Sequence, residues 1–94
     1  MKKIALIGST GSIGRQVIDC VERYPERYKI ISLAAGGNAK LLSSQINKLR
    51  PAVAALCDAS KAGEIGTLPK ETALYTGENA ALHAVPLLGR GFDV

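Results

Sequence analysis

Aromatic residues are scarce in this chain, which has no tryptophan, three tyrosines and one phenylalanine among its 94 residues. Surfaces that bind single-stranded nucleic acid normally stack the bases on aromatic side chains. The 12 lysine and arginine residues give a net charge of +4 but are scattered along the chain. Because no polybasic cluster is present, the composition predicts neither a nucleic-acid partner nor a charged membrane anchor. The mild positive charge suits a small anionic ligand.

Cysteine and histidine are equally scarce. Cys20 and Cys57 lie far apart without a C-x-x-C spacing, and His83 is the only histidine. The sequence therefore contains no zinc motif and no disulfide framework. We expect both cysteines to be small buried side chains in a reducing compartment. We expect His83 to be a structural residue at or near the surface.

Long hydrophobic runs are also missing. The apolar stretch that follows Met1-Lys2-Lys3 breaks at Gly8-Ser9-Thr10, which is too early for a signal peptide. No run approaches the length of a membrane-spanning helix. An apolar fraction of 47% and a charged fraction of 21% are typical of an ordinary globular domain. We therefore expect a cytoplasmic protein without a membrane partner.

The most informative segment that the chain does contain is Gly8-Ser9-Thr10-Gly11-Ser12-Ile13-Gly14, directly after the apolar run Ile4-Ala5-Leu6-Ile7. Glycines allow a tight turn and let a phosphate approach the backbone closely. The free N–H groups at the start of the following helix then face the anion. This order of strand, glycine turn and helix predicts a pyrophosphate-binding loop. The alternative is that the glycines form only an ordinary turn.

Apolar runs that suit buried strands alternate along the chain with stretches that suit amphipathic helices. The predicted strands are 3–7, 28–35, 52–57 and 72–76, and 92–94 resembles the start of another. The predicted helices are 12–24, a second one capped by Asn38 and closed by Pro51, 59–65 and 80–88. This alternation predicts an α/β fold, a Rossmann-like doubly wound parallel sheet with three layers, α/β/α.

Helical spacing also predicts which side of each helix is buried. The second helix has the apolar stripe Leu42, Ile46 and Leu49. The predicted buried stripe of the first helix is Ile13, Val17, Cys20, Val21 and Tyr24.

The end of the second predicted strand bears on the choice of dinucleotide. NAD-binding units normally place an acid there, which binds the ribose hydroxyls. This strand ends in Ala34-Ala35-Gly36-Gly37-Asn38, with no acid, and Lys40 is the nearest cation. Small residues leave room for a 2′-phosphate, so the sequence favours NADPH over NADH. The alternative is that Gly36 and Gly37 only shape the turn.

The glycine segment, the 34–38 turn and the run Leu49-Arg50-Pro51 together resemble the N-terminal domain of the deoxyxylulose-phosphate reductoisomerase family. The resemblance implies that residues 1–94 form an N-terminal NADP-binding domain, a fragment of a longer enzyme. It implies that Thr10, Gly11, Ser12 and Ile13 line the pyrophosphate and that Gly8 is a further cofactor-binding residue. It also implies that the adenosine ribose and its 2′-phosphate are bound by Gly36, Gly37 and Asn38. Many family members carry Lys or Arg where this chain has Gly37, a departure that bears on 2′-phosphate selection.

The family's reaction rearranges 1-deoxy-D-xylulose 5-phosphate and reduces the product with NADPH to 2-C-methyl-D-erythritol 4-phosphate, a step of non-mevalonate isoprenoid synthesis. The resemblance implies a divalent metal (Mg, Mn or Co), a small-molecule substrate and a homodimer in the full-length enzyme. In the family, the metal carboxylates belong to a later domain. The acids of this chain are dispersed, so we expect solvated surface charges and no catalytic or metal residue here.

Two alternatives remain at this stage. One is another NADP-dependent reductase built on the same unit, such as a semialdehyde dehydrogenase or a dihydrodipicolinate-reductase-like enzyme. The other is a non-catalytic module that senses a dinucleotide.

Overall fold

Each strand of the sheet pairs in parallel with the next one along the chain, in the order β1-β2-β3-β4. The computed structural model describes residues 2–84. The strands are β1 (Lys2–Ile7), β2 (Tyr28–Ala35), β3 (Val53–Leu56) and β4 (Ala73–Thr76). The helices are α1 (Ser12–Arg23), α2 (Ala39–Leu49), a 3₁₀ helix (Ala59–Glu64) and α3 (Ala81–Ala84). The predicted parallel α/β fold is confirmed. The predicted continuation of the last helix to residue 88 and the strand 92–94 lie outside the described residues.

One face of the sheet is covered by α1, α2 and the 3₁₀ helix. Its core contains large aliphatic side chains that are almost fully excluded from solvent, including Leu33, Leu42, Ile46 and Leu56. The pairing of β1 with β2 shifts register between Ile4 and Ala5. Beyond this irregularity, the side chains of β2 alternate regularly between the two faces of the sheet.

The opposite face is covered by α3 and is built from small side chains. Its buried cluster consists of Ala34, Ala55, Ala80 and Ala84. Methyl groups on both sides allow the helix to lie close to the sheet. The two covered faces make three layers, as the sequence predicted.

The predicted buried stripe of α1 is partly wrong. The buried residues of this helix are Gly14, Ile18 and Val21, whereas Ile13 is 71% exposed and Cys20 is exposed. Tyr24, which is 44% exposed, ends the helix. The predicted stripe and the neighbouring stripe of Gly14, Ile18 and Val21 have the same helical spacing. The close packing of Gly14 against the glycine loop determines that the neighbouring stripe is the buried one. The expectation of two buried cysteines is also wrong, because Cys57 is only half-buried.

The ends of α2 follow the prediction. The Asn38 side chain accepts a hydrogen bond from the Leu41 N–H at 3.2 Å and caps the helix. At the other end Arg50 adopts the left-handed conformation, with φ of 50°, just before Pro51. The Arg50 guanidinium then binds Glu71 at 2.9 Å, which ties the end of α2 to the segment before β4.

Candidate nucleotide-binding site

The carboxyl ends of the parallel strands meet at one edge of the sheet, where the hydrogen-bond ladder continues into the loops. The N–H groups of Gly8 and Ser9 both donate to the Ala34 carbonyl, at 2.8 and 3.0 Å. The N–H of Asp58 donates to the Gly36 carbonyl at 2.8 Å. The loop after β1 therefore lies beside the end of β2, and the segment after β3 lies beside the turn that starts at Gly36.

The N-terminus of α1 is open toward this edge. Its N-cap is Gly11, no side chain caps it, and its first turn contains no acid. The N–H groups of Ser12, Ile13 and Gly14 have no acceptor within the helix, because the first turn of any α-helix leaves them unpaired. These donors and the positive end of the helix dipole suit an anion.

Three glycines of the loop have distinct roles. Gly8 has a φ of +80°, a conformation that favours glycine. A Cβ atom on Gly14 would stand 2.8 Å from the Ser9 Cα and would overlap the Gly8 carbonyl oxygen, so this position has no room for a side chain. A Cβ atom on Gly11 would be 3.5 Å from the same carbonyl oxygen, an ordinary contact. Gly11 is therefore not required by packing within the described residues.

A buried glutamine holds the loop from behind. The Gln45 side-chain nitrogen Nε2, on α2, donates to the Ser9 carbonyl at 2.8 Å. Ser9 is fully buried and Gln45 is 7% exposed. Sequence reasoning missed this residue, although the signal was available: Gln45 lies between Leu42 and Ile46 on the apolar stripe of α2. A polar residue at such a position is often there to satisfy a buried backbone group.

The second predicted segment forms an exposed turn next to the glycine loop. Gly36, Gly37 and Asn38 are all exposed. The Asn38 side-chain oxygen is engaged in capping α2, which leaves its amide N–H₂ as the donor suited to a ligand. Asp58 lies against this turn, and sequence reasoning did not include it in the site.

The structure thus brings the two predicted sets of residues together. The bond from the Gly8 N–H to Ala34 places the glycine loop at the strand end that leads into the 36–38 turn. Ile13 projects from the first turn of α1 as an exposed apolar side chain. The ring of His83, on α3, stacks on Tyr75 with a centroid distance of 3.9 Å. Between residues 2 and 84, no group of three or more His, Cys, Asp or Glu side chains could hold a metal ion.

A glycine loop with open helix N–H groups, beside a small-residue turn at the carboxyl edge of a parallel sheet, defines a dinucleotide-binding α/β domain. The comparison with protein families makes the assignment specific. The family model described as 1-deoxy-D-xylulose 5-phosphate reductoisomerase matches residues 4–88. The chain belongs to this family.

Curated relatives give the same result. The 1-deoxy-D-xylulose 5-phosphate reductoisomerase of Synechococcus sp. (strain ATCC 27144) is 45% identical over 82 residues, covering 83% of this chain and 20% of the relative. The reductoisomerase of Anaeromyxobacter sp. (strain K) is 42% identical over 83 residues, covering 87% of this chain and 21% of the relative. The chain therefore spans about a fifth of the length of these enzymes.

Solved structures agree with the fold. The reductoisomerase of Zymomonas mobilis, determined in complex with NADPH, superposes with a TM-score of 0.76 at 26% identity, covering 88% of this chain and 22% of that enzyme. A second reductoisomerase structure, determined with magnesium, has a TM-score of 0.70 at 22% identity and supports the fold alone. These similarities give no support to the other reductases or to a sensing module. No helix within residues 2–84 is long and apolar enough to span a membrane.

Proposed function

We propose that this chain is the N-terminal NADPH-binding domain of a 1-deoxy-D-xylulose 5-phosphate reductoisomerase. The observation that carries the proposal is the uncapped N-terminus of α1 behind the glycine loop. The N–H groups from Thr10 to Ile13 would hold the pyrophosphate. The exposed turn of Gly36, Gly37 and Asn38 would hold the adenosine ribose and its 2′-phosphate, since it is adjacent and contains no bulky side chain.

The residues of this edge fit such a cofactor. Gly11 has no side chain, although a Cβ atom would meet only an ordinary contact within the chain. The absence of a side chain therefore serves an approaching ligand rather than internal packing. Gln45 fixes the loop through the Ser9 carbonyl, so the donors of α1 are held in place before the ligand binds.

The remaining parts of the reaction are assigned to the longer enzyme. NADPH, when bound, supplies the reducing equivalents that convert the rearranged aldehyde to 2-C-methyl-D-erythritol 4-phosphate. The carboxylates that hold Mg²⁺, Mn²⁺ or Co²⁺ and the groups that bind the sugar phosphate would come from outside this chain. We propose a cytoplasmic homodimer for the complete enzyme and no catalytic role for residues 1–94 by themselves.

The proposal is tested first by binding. The ¹⁵N-labelled chain is titrated with NADPH and its amide shifts are followed by NMR, a method that tolerates weak affinity. We expect the shifts to concentrate at 10–13 and 36–38. Gly11→Val should abolish them, because the branched side chain would occupy the approach of the pyrophosphate, while the spectrum stays that of a folded protein. Undiminished shifts in Gly11→Val would contradict the assignment of the loop.

Activity is tested in a chimaera. Residues 4–88 replace the matching segment of the Synechococcus relative, which supplies the rest of the enzyme. We expect NADPH-dependent conversion of 1-deoxy-D-xylulose 5-phosphate, and we expect its loss in the same chimaera with Gly11→Val. A folded chimaera that binds NADPH without turnover would instead favour a sensing role for this domain.

A further inference from the structure

The segment after β3 places an acid beside the turn that follows β2. The backbone N–H of Asp58 donates to the Gly36 carbonyl at 2.8 Å. A Cβ atom on Gly37 would stand 3.7 Å from Oδ2 of Asp58 and 3.8 Å from its Cβ. Because Gly37 has no side chain, the Asp58 carboxylate is not screened by residue 37 from the exposed face of the turn.

The Asp58 carboxylate is also held in position and kept ionised. Its Oδ1 accepts hydrogen bonds from the hydroxyl of Ser60 and from the Ser60 N–H, the latter at 3.1 Å. These two bonds, with a smaller contribution from the charge of Lys61, hold the pKa of Asp58 below its usual range. The carboxylate is therefore charged at neutral pH, and Oδ1 is occupied by the Ser60 bonds.

We propose that Asp58 is a specificity-determining residue that lowers the preference of this site for a 2′-phosphorylated adenosine over one with free ribose hydroxyls. The inference rests on the proposed function, which places the adenosine ribose at Gly36, Gly37 and Asn38. A phosphate in this turn is repelled by the carboxylate, whereas ribose hydroxyls can donate hydrogen bonds to it. Asp58, in the segment that follows β3, would then act in place of the acid that NAD-binding units put at the end of the second strand.

The charge can be removed without removing the cap of the 3₁₀ helix. Asparagine is as good a capping residue as aspartate and has nearly the same shape. Asp58→Asn therefore isolates the charge, and Asp58→Ser, which introduces a second kind of neutral capping residue, is the reserve variant if the asparagine disturbs the fold. Glu64→Gln is the matched control, because Glu64 lies at the far end of the same 3₁₀ helix and pairs with Lys61 at 3.7 Å.

The probes are adenosine 2′,5′-bisphosphate and AMP, which differ only in the 2′-phosphate. Their dissociation constants are measured on the ¹⁵N-labelled chain from the amide shifts of residues 36–38 at low ionic strength. For Asp58→Asn we expect about three- to tenfold tighter binding of the bisphosphate, because the repulsion of one unit charge is removed. We expect weaker binding of AMP, because its ribose hydroxyls lose a charged acceptor. The difference between wild type and Asp58→Asn should shrink at high salt. Glu64→Gln should leave the ratio of the bisphosphate and AMP dissociation constants at its wild-type value.

The two proposals fail in different ways. If wild type binds both nucleotides at 10–13 and 36–38 but the ratio is unchanged in Asp58→Asn, the role of Asp58 is overturned and the proposed function stands. An equal change of the ratio of dissociation constants in Glu64→Gln also overturns the role of Asp58, since the net charge of the chain and not the position of the carboxylate would then determine the preference. If wild type binds neither nucleotide, the proposed function falls and this inference with it.

Discussion

At the scale of single residues, the glycines of the loop divide into those that the fold requires and those that the ligand requires. Gly14 faces the backbone of the loop so closely that a methyl group has no space. Gly11 faces open space apart from one ordinary contact at 3.5 Å. Substitution at these two positions should therefore affect different properties of the protein.

Gly14→Ala should destabilise the chain by about 1–3 kcal/mol, the usual cost of forcing an extra methyl group into a packed site. The new Cβ would stand 2.8 Å from the Ser9 Cα, so the start of α1 must move. Chemical denaturation followed by circular dichroism measures the free energy of unfolding. Gly11→Ser, which adds a good N-cap residue, is the control and should cost nothing. Equal stabilities of wild type and Gly14→Ala would contradict the packing described here.

At the scale of elements, a few side chains connect helices to loops that their own backbone bonds do not reach. Gln45 connects α2 to the glycine loop. The pair of Arg50 and Glu71 connects the end of α2 to the segment before β4. The first contact is buried and the second is exposed, so their contributions to stability should differ in size.

Gln45→Leu should lower the free energy of unfolding by about 1–3 kcal/mol, because the buried Ser9 carbonyl would lose its donor. The amide protons of Gly8 and Ser9, which bond to Ala34, should also exchange faster with solvent. Native-state hydrogen exchange measures both effects. Asn47→Leu is the matched control: Asn47 is on the same helix and donates to the carbonyls of Ser43 and Thr67 from an exposed position. A larger loss of unfolding free energy in Asn47→Leu than in Gln45→Leu would contradict a stabilising role for the buried hydrogen bond from Gln45 to Ser9.

Acid should weaken the connection between Arg50 and Glu71. The hydrogen bond from the Arg50 guanidinium is the main cause that holds the pKa of Glu71 below its ordinary value of 4.5. A carboxyl whose pKa is lower in the folded than in the unfolded chain adds stability above its ordinary pKa, and this stability is lost as the pH falls through the folded pKa. The contribution is small, because the pair is exposed.

We therefore expect wild type to lose slightly more stability than Glu71→Gln between about pH 6 and pH 3. Urea unfolding at a series of pH values measures the difference. Arg50→Gln removes the partner and should flatten the profile in the same sense. Parallel profiles for wild type and both variants would show that the pair contributes nothing.

At the scale of the whole molecule, the two faces of the sheet are packed in unequal ways. Large aliphatic side chains fill the face under α1 and α2, whereas within residues 2–84 the fully buried cluster under α3 is made of alanines. A larger side chain on this face would press against α3, which packs directly on these alanines. The alanine face should therefore tolerate enlargement poorly.

Ala55→Leu should destabilise the chain by about 1–3 kcal/mol through overpacking against α3. Ala55 is fully buried, in contact with the cluster that contains Ala80 and Ala84. Ala73→Leu is the control, because Ala73 is exposed on β4 and a surface change there should stay within about 0.5 kcal/mol. Thermal unfolding compares the two variants. Equal melting temperatures would mean that α3 can move away from the sheet without cost.

Local signals in the amino-acid sequence are enough to predict the succession of elements and the position of the loop. Unbroken apolar runs, the glycine segment after the first of them, and the Asn38 cap are local signals, because each depends on residues a few positions apart. They predicted the parallel sheet, and they predicted the bounds of β1 to β4 and the start of α1 to within one or two residues. The unbroken glycine segment is also specific enough to indicate the family that the comparisons confirm.

Which of two equivalent stripes of α1 is buried depends on three-dimensional packing and not on the sequence pattern. Both stripes have helical spacing, and the choice depends on Gly14 meeting the Gly8 and Ser9 backbone. The same holds for Gln45, which reaches Ser9 across 36 positions of sequence, and for Asp58, whose place beside Gly37 follows from the pairing of β2 with β3. Gln45 and Asp58 contact residues that are distant in the chain, and the contact of Gly14 depends on how the loop folds back onto α1. Periodicity along the sequence carries no information about these contacts.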